Sequence, residues 1–148
     1  MNKMAKKRTI VVIAEDDPDD CLLIKDAFKE ANPAVEVWFV ADGAELLDFL
    51  HRRGQYAMKT LPQPELVLLD LNMPRIGGMD VLREIKRDPA LRSIPVVVLT
   101  TSRSPEQVAL SYELGGNGFI TKPNSYTELV EIMQTLDRYW FHVVRLPE

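Results

Sequence analysis

The chain has 148 residues, 46% of them hydrophobic and 27% charged, with a net charge of −4. This balance suits a single globular domain with its own core, over about residues 8–145, behind a short basic tail, MNKMAKKR. The acidic balance leaves no chain-wide basic surface for nucleic acid, and no apolar run nears the roughly 18 residues that cross a membrane.

Cys21 is the sole cysteine, so neither an internal disulfide nor a thiolate zinc cluster can form. This fits a reducing, cytoplasmic setting. The basic start lacks a following apolar segment, so it is not a signal peptide.

TIVVIA is a short apolar run rich in β-branched residues and predicts a strand buried on both faces. A helix follows, with Leu23, Ile24, Ala27, Phe28 and Ala31 on its apolar stripe and Asn32-Pro33 as its stop. VEVWFVA predicts a second strand, and GAELLDFLHRR a second helix opened by Asp42-Gly43. The polar segment GQYAMKTLPQP is longer than most helix-to-strand loops. Arg52 and Arg53 just before it form a solvated basic edge or a partner contact.

LVLLDL is the third predicted strand, and the helix after it carries Met79, Leu82 and Ile85 at helical spacing. PVVVLTT is the fourth strand. SPEQVALSYELGG is a helix capped by Ser104, with Gly115 near its end. GFITKP is a short fifth strand. The last helix, SYTELVEIMQTLDRYWFHVV, puts Leu129, Ile132, Met133, Leu136, Trp140 and Val143 on one stripe. Five alternations of strand and helix predict an α/β fold, a parallel sheet with helices on both faces.

In such sheets, sites form beyond the carboxyl ends of the strands. Those ends carry Glu15 and Asp16, then Asp70, then Thr100 and Thr101, then Lys122-Pro123. Five acids crowd EDDPDD, and like charges raise one another's energy. Asp17-Pro18 has the form of a helix start, and Asp19 and Asp20 fall in its first turn, where the helix dipole favours negative charge. Glu15 and Asp16 remain to face the site, where a hard cation would relieve their crowding with Asp70. His51 and His142 lack metal-ligand companions and read as structural or surface residues.

VVIAEDDP, LVLLDLNMPRIGGMDVL, VVVLTTS and GFITKP resemble, in order, the motifs of response-regulator receiver domains of two-component signalling. The resemblance covers nearly the whole chain and implies a flavodoxin-like (βα)5 fold of strand order 2-1-3-4-5. HRRGQYAMKTLPQPELVLLDLNMP, LTTSRSPEQVALSYELGGNGFITKP and the terminal YWFHVVRLPE are similar to single-domain regulators of phytochrome-type histidine kinases.

The resemblance implies that Asp70 is the phosphoacceptor and that Lys122 pairs with it and then with the phosphoryl group. It implies Mg²⁺ held by Asp16, Asp70, the Asn72 carbonyl and, through water, Glu15. Thr100 would move onto a phosphoryl oxygen while Phe119 turns inward, and Pro123, as a cis-proline, would aim Lys122. Many family members have Tyr where Phe119 stands, so a tyrosine-type polar contact is lacking here.

The implied partner is a histidine kinase of the phytochrome type, and output is expected through protein contact or phosphorelay. Tyr139, Trp140 and Phe141 cannot all face one side of a helix. An outward aromatic suggests a partner contact. Since the regulators this chain resembles often pair through the fourth helix, fifth strand and fifth helix, the resemblance implies a homodimer through that face, with a monomer as the alternative.

The alternative functions are weaker. An aspartyl-nucleophile phosphohydrolase would need a carboxylate where Asn72 stands. A flavodoxin-like electron carrier would need a phosphate cradle where EDDPDD would repel it. A binding-only receiver would not need the whole set of phosphorylation residues. The chain is therefore expected to be a switch and not an enzyme.

Overall fold

The computed structural model describes residues 8–147, so residues 1–7 of the basic tail lie outside the described residues. Five strands form one parallel sheet: β1 (Ile10–Ala14), β2 (Glu36–Val40), β3 (Leu66–Leu69), β4 (Val96–Thr100) and β5 (Gly118–Thr121). Their order is β2-β1-β3-β4-β5. The helices are α1 (Pro18–Ala31), α2 (Gly43–His51), α3 (Gly78–Arg87), α4 (Pro105–Glu113) and α5 (Tyr126–Arg138). Parallel neighbours need long crossovers, and a helix supplies one while burying its apolar side on the sheet. The architecture is the flavodoxin-like one expected from the sequence.

β1, β3 and β4 are buried at every residue, which explains why they read as unbroken apolar runs. Alternate side chains feed two cores. Ile10, Val12, Val67 and Leu69 pack with Leu46, Phe49, Leu82 and Ile85 of α2 and α3. Val11, Ile13, Leu66 and Leu68 pack with Ile24, Phe28, Leu129 and Met133 of α1 and α5. A register slip of one residue would exchange these sets, so both faces fix the pairing.

The scaffold departs from the sequence reading at α1, in the connection after α2 and at the end of α5. Leu23 is 44% exposed, because α1 lies on the sheet through Ile24, Ala27 and Phe28, with Ala31 packed beside them. The connection after α2 is partly core: its 3-10 turn, Gly54–Tyr56, buries the Tyr56 ring edge-on to Phe49 at 5.0 Å. Arg52, in the left-handed region at φ 57, donates to the carbonyls of Phe49, Leu61 and Pro62. It staples this connection to α2 and is not a solvated edge.

The last helix does not continue through Val143. It loosens into a π-helical turn, Tyr139–Val143, closed by the Val144 N–H donating to the Tyr139 carbonyl at 3.0 Å. Across this turn the adjacent Trp140 and Phe141 both pack on the α1/α5 core. Tyr139 points outward at 49% exposure, and Val143 leaves the stripe at 61%.

Asp17 caps α1, its carboxylate accepting from the N–H groups of Asp19 and Asp20 at 2.8 and 3.3 Å. Replacing Asp17 by Ala is expected to lower unfolding free energy by about 0.5–2 kcal/mol in urea titration. It should leave Mg²⁺ affinity nearly unchanged, since the Asp17 side chain serves the helix.

Candidate functional site

The sheet's hydrogen-bond ladder runs one residue past the strands and fixes the site. Glu15 N–H donates to Val40 O at 2.9 Å, Asp70 N–H to Ala14 O at 3.0 Å, and Lys122 N–H to Thr100 O at 2.7 Å. Glu15, Asp70, Thr100 and Lys122 are thus set at the carboxyl edge, beside the β1/β3 switch point. Under Asp70, a Cβ on Gly78 would sit 2.6 Å from the Asp70 carbonyl oxygen, so only glycine lets α3 start this close.

The carboxylates of Glu15, Asp16 and Asp70 bring oxygens within 4.8 Å of one another. Glu15 and Asp70 are buried, at 3% and 7% exposure, while Asp16 is exposed. Lys122 Nζ donates to Glu15 at 2.5 Å, to Asp20 at 2.9 Å and to Asp70 at 3.5 Å. Asp17 N–H donates to the second Glu15 oxygen at 3.1 Å, and Asn72 N–H to Asp70 Oδ1 at 3.3 Å. Burial raises the Glu15 carboxyl above its ordinary value; Lys122 and the Asp17 N–H only partly offset this, and Asp70 adds to it. Burial pulls the Lys122 ammonium down, yet Asp20, Glu15 and Asp70 outweigh it and hold Lys122 above the usual lysine value.

Three carboxylates therefore surround one ammonium, and a fourth, Asp16, lies within 4.8 Å of two of them. Their donors are hard oxygens on a rigid edge, which suits a small divalent cation such as Mg²⁺. Thr100 is fully buried, and its Oγ1 is a buried side-chain atom without a hydrogen-bond partner among the described residues. Such a group is costly unless something bonds it in another state.

Of the residues singled out in the sequence, Glu15, Asp16, Asp70 and Lys122 come together, and Thr100 is tied to Lys122 through its carbonyl. Asn72 is exposed and touches Asp70 through its backbone. Phe119 is half-buried on β5 opposite Val98. Pro123 departs from expectation: the peptide before it is trans, with no cis bond among the described residues. Lys122 is aimed instead by its three carboxylates. Asp20 was read as a first-turn acid alone; no local signal marked it as facing the site, because the way α1 lies against the sheet edge is what brings it to 2.9 Å from Lys122.

The family pattern described as response regulator receiver domain matches residues 11–134. The chain belongs to this family. Receiver domains act as phosphorylation-activated switches, not as enzymes with turnover, and they bind a divalent metal. Response regulator Rcp1 of Synechocystis sp. is 38% identical over 138 residues, covering 93% of this chain and 92% of Rcp1. The phosphorylated cyanobacterial phytochrome response regulator RcpA superposes with TM-score 0.88 at 37% identity, covering 96% of this chain and all of that one. The Mn(2+)-bound form of Rcp1 gives TM-score 0.85 at 37% identity, covering 95% and 99% of the two chains.

In this receiver domain the loop after Asp70 is clamped to α2. Arg75, at φ 63, donates to both oxygens of Asp42, the α2 N-cap, at 2.8 and 2.9 Å. Arg75 holds the Asp42 carboxyl below its ordinary value of 3.8. A lowered carboxylate stabilises the fold above its unfolded value and loses that contribution as pH falls through the folded one. Arg75→Ala should therefore melt below wild type at pH 7, with the gap closing below about pH 4 in thermal unfolding scans.

Proposed function

We propose that Asp70 accepts a phosphoryl group from a histidine kinase. The observation that carries this is the buried Asp70 carboxylate held between a lysine ammonium and two further carboxylates on one sheet edge. An Asp70 oxygen attacks phosphorus, an acyl phosphate O–P bond forms, and the donor's bond to phosphorus breaks with its electron pair leaving on the donor. Hydrolysis discharges it: water attacks phosphorus, the Asp70 O–P bond breaks with its electron pair on the Asp70 carboxylate, inorganic phosphate leaves, and the proton passes to solvent.

Asp16, Asp70, the Asn72 carbonyl and Glu15 through water would hold Mg²⁺, which when bound neutralises charge on the phosphoryl oxygens. Lys122 supplies the second positive charge. Thr100 gives its unpartnered hydroxyl to a phosphoryl oxygen, and Phe119 turns into the space it leaves, which makes the pair a two-state element.

The kinase is read as phytochrome-type, on the likeness to the phytochrome response regulator RcpA. Leu23, exposed on α1 and lining one pocket with Lys122, offers it an apolar foothold. The single free cysteine suits a cytoplasmic setting. Among the described residues no helix is long and apolar enough to cross a membrane.

The test is intact mass after incubation with acetyl phosphate and Mg²⁺. One added phosphoryl group is expected on the wild type and none on Asp70→Asn or without metal. No addition at any donor concentration would sink this reading, and steady phosphate release over many turnovers would favour a hydrolase.

The output surface is read as a second copy of the chain on the β5/α5 face. There a groove of about 300 Å³ is lined by Ile120, Ile132 and Leu136 and rimmed by Glu128, Glu131 and Thr135. Apolar centre and polar rim are the arrangement of an isologous interface. Sedimentation velocity should show a dimer that Ile132→Glu converts to monomer; a wild type monomeric in both phosphorylation states would refute it.

A further inference from the structure

We propose that Asp20 is a positioning residue for Lys122, a releasable counter-ion that competes with the phosphoryl group for its ammonium. The inference rests on Asp70 being the phosphoacceptor and Lys122 its partner. An ammonium has three N–H donors. All three are taken: by Glu15 at 2.5 Å, Asp20 at 2.9 Å and Asp70 at 3.5 Å, the acceptor being the most distant.

A phosphoryl group on Asp70 brings new anionic oxygens toward Lys122; they take over the long Asp70 bond, and for the ammonium to close that 3.5 Å gap one of its two tighter partners must loosen. Glu15 cannot do so cheaply. Its side chain is 2% exposed, and leaving a carboxylate buried without its cation is costly. Asp20 is 36% exposed, so water can replace the lysine there. It sits in the first turn of α1, where the peptide N–H groups favour its charge even after release. Asp20 thus restrains Lys122 in the resting state and lets it go on phosphorylation.

This sets the direction of substitution. Asp20→Asn keeps the shape and the backbone bond to Asp17 but removes the charge that competes for Lys122. Lys122 then bonds the phosphoryl group with less opposition. The probe is beryllium trifluoride, a tetrahedral mimic of a phosphoryl group on a carboxylate, titrated at saturating Mg²⁺ and followed by ¹⁹F NMR.

Asp20→Asn is expected to bind the mimic tighter by on the order of three- to tenfold, a part of one charge-assisted hydrogen bond. Asp20→Glu should restore the wild-type affinity. In a Lys122→Met background the Asp20→Asn change should have no effect, a coupling that a merely structural role would not produce. Unchanged or weaker binding in Asp20→Asn, or an effect that persists without Lys122, overturns the inference while leaving Asp70 as acceptor. A wild type that neither binds the mimic nor takes up phosphoryl from acetyl phosphate overturns the reading beneath it, and the inference with it.

Discussion

One buried ammonium holds the working end of this molecule together. Lys122 bridges β5 to Glu15 at the end of β1, Asp20 on α1 and Asp70 at the end of β3. Without it, two buried carboxylates would face each other across a low-dielectric gap, a cost of several kcal/mol by general experience with broken buried pairs. With it, the charges still do not balance, and the excess of carboxylate is what a divalent cation can satisfy. The site is therefore poised: stable enough to fold, and unsatisfied enough to bind.

The same tension appears at Thr100. A strand threonine buried completely, with a hydroxyl that finds no partner among the described residues, is poorly satisfied as core. It makes sense as one half of a pair of states, in the other of which an oxygen arrives. Around it the scaffold is stiff. Three strands are buried along their length, and the loop that carries Asn72 is tied down by Arg75 on the α2 cap and by Gly78 beneath Asp70. The enclosure is looser at the edge, at β5, where Phe119 is half-buried and the outer face of α5 is open.

Much of this was legible before any coordinates. β-branched apolar runs marked the central strands, because burial on both faces requires apolar residues at every position. Asp17-Pro18, Ser104 and Gly115 marked helix ends, because capping is a local matter of one side chain and a few N–H groups. Leu23 and Val143 misled, since apolar spacing does not say how wide a stripe the neighbouring layer will cover. Tyr56 was missed because it lies outside any periodic segment and is buried by a fold of the loop onto Phe49. The trans bond before Pro123 was invisible for a related reason: both isomers are open to the chain, and context selects one.

The sequence by itself determined the order of elements, the strand-end residues and so the chemistry available to the site, because these depend on side-chain type and short-range spacing. Tertiary structure decided which of those residues meet. Asp19 and Asp20 are neighbours in the same helical turn, yet only Asp20 reaches Lys122, about one hundred positions away in sequence. Tyr139, Trp140 and Phe141 are consecutive, yet across a π-helical turn two pack inward and one points out. Such pairings depend on the angle at which a helix lies on the sheet. Packing of the whole core sets that angle, and no local stretch of sequence carries it.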